Sequence, residues 1–481
     1  MKTLFRAILC SMLMAAATGV AAQPVADDPA VREAIGILDA WIGTQTAYRQ
    51  VPGLAVGIVH DQELVWAKGY GFADPEKKIP ATPSTVFRIA SISKLFTSIA
   101  IMRLSDEGKL RIDDPVSSYL PWFDIRQTFP DAPPITIEHL LTHTSGLPRE
   151  APFPYWTDFE FPTREQIREG LREQATVFPP SRRWKYSNLA LSLAGGIVAA
   201  VSGAPYEEYI RTAILTPLGM TGTGVTLDAA LMKRLAVGYG RRMPDGSREV
   251  RPFTDSKGLA PAANISSSVE DFAKFASWQF RLLDSGKREI LKSHTLREMH
   301  RVHWVHRGWE SGWGLGFAVW HSEERDLVGH GGHVAGYTTR IALSPEEKIA
   351  VFVMTNADDG KPGYYVDRAF EVVAPEIVAA AAPPGKAARF PDEWRKYIGA
   401  YADSWSEYRV LPYRGGLTMI FPEADDPLES RWTLVPAGEN AFRIEGSGYG
   451  DIGELVVFEL DDAGKVKRLK IGENFAYPAH E

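Results

Sequence analysis

The placement of strand patterns constrains this chain more than any other feature. Two runs rich in β-forming residues, Gly53 to His60 and Glu63 to Gly69, flank the polar pair Asp61-Gln62 and predict a hairpin. No comparable group follows until Gly312. There, Trp313 to Trp320, Leu327 to His330, Gly336 to Leu343 and Ile349 to Thr355 read as four short strands. Helical patterns fill the interval and both flanks. They include an amphipathic Asp28 to Tyr48, a short helix capped by Thr136, and an all-round apolar Leu189 to Val201. A further helix within 264–283 is capped by one of Ser266 to Ser268, and another runs from about Tyr364 to Ala380. Strands at both ends with helices between them predict an α+β (α/β sandwich) fold. One antiparallel sheet is flanked by helices and carries an inserted, mostly helical region.

At 481 residues the chain exceeds one ordinary core. An alanine run from Ala379, followed by Pro383-Pro384-Gly385, breaks the composition and reads as a linker. Beyond it, 391–481 holds many brief strands and no long helix, which predicts a small all-β barrel or sandwich. At the other end, Lys2 and Arg6 precede an apolar stretch and the small residues Val20-Ala21-Ala22, the pattern of a cleaved signal peptide. The expected organisation is therefore a signal peptide at 1–22, a main domain at 23–380, a linker at 381–390 and a β-domain at 391–481.

These bounds exclude several function classes. Cys10 is the sole cysteine and lies in the signal segment, so the mature protein is expected to lack disulfides and thiol chemistry. A net charge of -7 without blocks of like charge disfavours nucleic acid and anionic membrane as partners. No apolar run in the mature chain reaches the roughly 18 residues of a membrane span. The expected location is periplasmic or secreted, and the expected partner is a small-molecule or peptide substrate.

The chemistry starts at Phe87-Arg88-Ile89-Ala90-Ser91-Ile92-Ser93-Lys94, which opens a helix with apolar residues behind it. Residues three apart share a helix face, so the Lys94 amine can lie beside the Ser91 hydroxyl. A lysine among apolar side chains loses basicity and can accept a proton. Serine, adjacent base and the positive end of a helix are the parts of an acyl-transfer nucleophile. Tyr186-Ser187-Asn188 stands at the mouth of the apolar helix, and His330-Gly331-Gly332 ends a predicted strand.

In this order, the three elements resemble the motifs of the penicillin-recognising serine hydrolases. That family includes class C β-lactamases, DD-peptidases, and β-lactamase-related esterases and D-aminopeptidases. Leu140-Leu-Thr-His-Thr-Ser-Gly-Leu147 and Val353-Met-Thr-Asn356 are similar to further stretches of that family. The resemblance covers about 30–380 and implies a β-lactamase/transpeptidase-like fold. Tyr397-Ile-Gly-Ala-Tyr401 resembles the start of the lipocalin-like β-domain often appended to such hydrolases.

The resemblance implies Ser91 as nucleophile, with Lys94 and Tyr186 sharing the base work. It implies that Asn188 donates its amide to a substrate carbonyl and helps position Lys94. His330 takes the place usually held by lysine, while Gly331 and Gly332 let substrate approach the strand edge. The backbone N–H groups of Ser91 and His333 form the implied oxyanion hole. No cofactor or metal is implied.

His330 is the departure from the pattern. Lysine there holds a substrate carboxylate, whereas histidine, with an ordinary pKa of about 6.5, is mostly neutral above pH 7 and retains one donor. This favours esters, amides or D-amino-acid peptides over antibiotics, with a β-lactamase or DD-carboxypeptidase as the alternative. A non-catalytic sensor or binding module is the alternative of another class.

Other features weigh less. His294, His300, His303 and His306 have spacings that could hold zinc, but no metalloprotease motif accompanies them and a solvated face is the expectation. The aromatics from Phe153 to Phe161 are expected to anchor a loop rather than rim a cleft. Trp304, Trp309 and Trp313 fit core packing at least as well as a cleft. Gly69-x-Gly71 lacks the remainder of a dinucleotide motif, and His143 is read as structural.

Overall fold

Hydrogen bonding by side chains sets the ends of the first helices. Asp28 caps Pro29–Tyr48 by accepting from the backbone N–H of Ala30 at 2.8 Å and Val31 at 3.4 Å. The hairpin Gly53–His60 and Glu63–Asp74 follows, turning at Asp61-Gln62. A computed structural model describes residues 24–322, 325–382, 390–413, 416–421, 431–446 and 450–479. The expected signal peptide and most of the expected linker lie outside the described residues.

Two compact units, Met1–Ala381 and Ala382–Glu481, make up the chain. In the first, a nine-stranded antiparallel sheet runs in the order Ile79–Pro80, Glu63–Asp74, Gly53–His60, Ile349–Thr355, Tyr337–Ser344, Arg325–Val334, Ala318–Ser322, Ser311–Trp313 and Trp304–Val305. The N-terminal strand Gly53–His60 pairs directly with Ile349–Thr355, so the sheet is assembled from both ends of the unit. The run from Trp313 to Trp320, expected as one strand, is instead two strands with a turn between them, where Gly316 takes φ 89°.

The central strands are buried on both faces, as their unbroken apolar runs require. Leu54, Val56 and Ile58 pack with Val31, Leu38 and Ile42 of the first helix and with Tyr365, Val366 and Phe370 of Pro362–Val372. The opposite face packs against the inserted helices, including Phe272 and Phe275 of Val269–Ser285. Burying each such side chain stabilises by about 1.5–3 kcal/mol. Gly57 permits the close approach, since a Cβ there would lie 2.4 Å from Val269 Cγ1. Ser268 caps that helix, accepting from Asp271 N–H at 3.4 Å.

Two buried helices position the site. Ser93–Asp106 follows a single 3-10 turn, Ala90–Ile92, that carries Ser91. Asn188–Ser202 is capped by Ser187, whose hydroxyl accepts from Ala190 N–H at 3.0 Å and donates to Pro148 O at 2.7 Å. No single helix among the described residues is long and apolar enough to cross a membrane.

The second unit is a closed eight-stranded barrel spanning Gly399–Ala402 to Asn474–Pro478. Its interior is filled by Tyr401, Val410, Met419, Trp432, Phe442, Phe458 and Leu469 among others.

Candidate active site

Lys94 is 1% exposed, and its buried position is built by a polar stripe on its own helix. Ser93 Oγ accepts from Ile265 N–H at 3.0 Å, and Thr97 Oγ1 donates to Pro261 O at 2.6 Å. Between them, Lys94 Nζ donates to Ala262 O at 2.9 Å and lies 3.0 Å from Ser91 Oγ. Burial holds the Lys94 amine well below its ordinary range; Glu150 opposes that shift and Arg149 adds to it.

The turn holding Ser91 is tightly braced. Ala90, just before it, has φ 49°, a left-handed conformation that costs a non-glycine residue energy. Thr339 Oγ1 donates to Ile89 O at 3.2 Å. Gly332 on Arg325–Val334 faces the same carbonyl, and a Cβ there would lie 2.2 Å from Ile89 O. The resemblance has Gly331 and Gly332 admitting substrate. In the folded chain Gly332 admits the serine turn, while a Cβ at Gly331 would meet nothing closer than 3.6 Å.

Tyr186 hydrogen-bonds Ser91, and burial pushes its phenol above the ordinary range despite that bond. Its ring lies 4.3 Å from the His143 ring and 4.9 Å from Lys94 Nζ. His143 is buried, and its Nδ1 accepts from Ser187 N–H at 3.2 Å. It therefore fixes the backbone beside Tyr186 while packing on its ring.

Both facing residues have partners within the chain. Asn188 directs Nδ2 at Glu150, 2.8 Å and 3.0 Å from its two carboxylate oxygens, and Lys94 has other partners. A carboxylate can only accept, so Glu150 turns the donor end of the amide toward itself and leaves Oδ1 unpartnered. His330, 4% exposed, uses its donor internally: Nδ1 donates to Gly331 O at 2.5 Å. Its unpartnered Nε2 is an acceptor, and burial lowers its pKa to about 3.

His333 follows on the same strand. Pairing of that strand with Ala318–Ser322 stops at Gly329, so the edge carrying 330–334 borders the cleft without a neighbouring strand there. The side chain of His333 is exposed and lies 3.4 Å from Asp358 Oδ1.

Ser91, Tyr186, Asn188, His330, Gly331, Gly332 and His333 all line one cavity of about 850 Å³. Residues not singled out from sequence line it too: Arg149, Glu150, Trp184 and Arg251. Glu150 also accepts from Tyr155 Oη and from Arg149 Nε, the latter at 3.1 Å. In the sequence its one signal is its place two residues past the loop that ends at Pro148.

The aromatic segment divides between two roles. Tyr155 and Phe161 are buried, whereas Trp156 and Phe159 line the cavity, so the loop is both anchored and a rim. Trp313 is buried beside His143, Tyr186 and His330, and Trp309 is 85% exposed. The four spaced histidines do not share a solvated face. His300 is buried against Gln279 at 3.0 Å, His303 meets Glu138 at 2.9 Å, and His306 packs on Trp184.

Several known proteins are similar to this chain. Beta-lactamase-like protein 2 of Dictyostelium discoideum is 29% identical over 357 residues, covering 73% of this chain and 64% of that protein. The chain thus spans less than two thirds of that relative's length. The octameric penicillin-binding protein homologue from Pyrococcus abyssi superposes with a TM-score of 0.63 at 28% identity, covering 92% of this chain and 99% of that one. A beta-lactamase/D-alanine carboxypeptidase from Yersinia pestis, complexed with citrate, gives 0.60 at 26% identity, covering 71% and 99%. The Beta-lactamase family model matches residues 38–374, a span that holds every site residue described above, and the chain belongs to that family.

Proposed function

We propose that the protein is an exported hydrolase that cleaves esters or amides through an acyl-enzyme on Ser91. The observation that carries this reading is the buried Lys94 amine, held below its ordinary basicity 3.0 Å from Ser91 Oγ. Lys94 and Tyr186 are shifted in opposite directions, which divides their roles. The neutral amine takes the serine proton as Oγ attacks the carbonyl. Tyr186 stays protonated and supplies a proton to the leaving group, recovering it from Lys94. The oxyanion is received by the backbone N–H groups of Ser91 and His333. Water then releases the acyl group by the reverse proton path.

A neutral His330 offers no fixed cation for a substrate carboxylate, which supports esters, amides or D-amino-acid peptides over penicillins. Labelling with a fluorophosphonate followed by mass mapping tests the reading. An adduct on Ser91, absent in Ser91→Ala, is expected. A folded protein without that adduct would instead be a binding module. Export is tested by N-terminal sequencing of the mature protein, with Gln23 expected first.

A further inference from the structure

Arg88 lies three residues before Ser91, on the two-residue strand Phe87–Arg88, and only 1% of it is exposed. A buried cation is ordinarily met by a carboxylate. Among the described residues, none hydrogen-bonds to this one. Its Nη2 donates instead to Asn264 Oδ1 at 2.9 Å and to Ser256 Oγ at 3.2 Å, and Nε has no partner. The guanidinium carbon is 5.2 Å from the centre of the Phe253 ring. An apolar side chain would fill the same space at less cost, so the bond to Asn264 is the feature to explain.

Asn264 is fully engaged. Its Oδ1 also accepts from Ser256 N–H at 2.9 Å, and its Nδ2 donates to Val225 O at 2.8 Å and Asp255 Oδ1 at 3.1 Å. It ends the single helical turn Ala260–Ala263, with its own N–H donating to Ala260 O at 3.1 Å. Two carbonyls of that turn hold the helix behind the nucleophile: Pro261 O accepts from Thr97, and Ala262 O accepts from Lys94 Nζ. One residue further on, Ile265 O accepts from Ile89 N–H at 3.0 Å. The Arg88 bond thus pins the segment that carries the Lys94 acceptor to the strand that leads into Ser91.

We infer that Arg88 is a positioning residue for proton transfer from Ser91 to Lys94, acting through Asn264 and the Ala262 carbonyl. This rests on Ser91 and Lys94 acting as proposed above. A neutral amine has one lone pair. With an N–H of Lys94 held by Ala262 O, that lone pair faces Ser91 Oγ only while the carbonyl stays in place. A displacement of about 1 Å in such a geometry can cost about 10²-fold in rate. Arg88 does not line the cavity, so its loss should act on kcat and leave KM nearly unchanged.

The test uses the full chain, a p-nitrophenyl ester, and the variants Arg88→Met, Asn264→Ala and their combination, with folding checked by circular dichroism. Each single change is expected to lower kcat by about 10- to 100-fold with KM within about threefold. Because both changes break one path, the double variant should lie within about threefold of the slower single one. Arg88→Lys keeps one donor for Asn264 and should recover part of the loss. A folded Arg88→Met with kcat within about twofold of wild type overturns the inference, as do losses that multiply in the double variant or a change confined to KM. Should Arg88→Met fail to fold, Asn264→Ala removes the other end of the same bond, and an unchanged kcat there overturns the inference. Fluorophosphonate labelling of the wild-type protein separates the two readings. An adduct on Ser91 with kcat insensitive to Arg88 defeats only this inference, whereas absence of the adduct defeats the catalytic reading and this one with it.

Discussion

The two walls of the cleft are built on opposite principles. On the nucleophile side, Ser93, Lys94 and Thr97 are tied to the backbone of 261–265, and Ser91 is braced by Ile89, Thr339 and Gly332. On the facing side, Asn188 and His330 each hold one polar atom buried and unpartnered. The first wall ties its reacting groups to the protein's own backbone. The second keeps unpartnered polar atoms on residues that line the cavity, and so changes there should alter which substrates react rather than whether reaction occurs.

The largest effects should come from the first wall and fall on every substrate alike. Ser91→Ala should remove about 10⁴-fold or more of kcat, measured by steady-state hydrolysis with folding checked by circular dichroism. Lys94→Met should cost about 10²–10⁴-fold. A Lys94 loss confined to one substrate would break the contrast between the walls. The pH profile sharpens it: activity needs the neutral amine, so kcat/KM should fall as pH drops through the lowered Lys94 pKa. That limb should lie below the ordinary lysine range.

Gly332→Ala should act next, by forcing the strand from Ile89 O. Overpacking of this kind costs about 1–3 kcal/mol, to be read from denaturant midpoints together with a drop in kcat. On the second wall, His330→Lys should lower KM for carboxylate-bearing penicillin probes by roughly tenfold, with an unchanged KM refuting it.

The smallest effect at neutral pH concerns stability, and it emerges only in acid. His300 and His330 are buried with pKa values lowered to about 3, while the unfolded chain titrates near 6.5. The unfolded state therefore binds more protons between those values, so stability should fall as pH drops through that window and stay level above it. His330→Gln should reduce the loss at pH 4 by up to about 3 kcal/mol, measured by urea unfolding at pH 7 and pH 4.

Much of this was legible in the chain. The hairpin around Asp61-Gln62, a serine cap at one of Ser266 to Ser268 and the sheet built from both ends follow from local pattern. Ser91 and Lys94 are neighbours because helix geometry makes them so. The facing wall was less readable because its chemistry depends on contacts that local pattern does not encode. The Asn188 amide is turned by Glu150, across a loop-to-helix contact, and the His330 tautomer is set by the carbonyl of the next residue. The role of Gly332 likewise needs Ile89, which only the folded sheet brings beside it.

The outer strands of the large sheet have a consequence for colloidal behaviour. Both ends of the sheet are two-residue strands, Ile79–Pro80 and Trp304–Val305, and the first contains a proline that cannot donate a ladder hydrogen bond. The C-terminal barrel closes through its first and last strands. The terminal strands are therefore too short to template a second chain, but Glu63–Asp74 meets Ile79–Pro80 only at Phe72 and Asp74, so its outer edge from Glu63 to Gly69 has no strand partner among the described residues. Glu63 and Lys68 place charges along that stretch, which discourage edge-to-edge association.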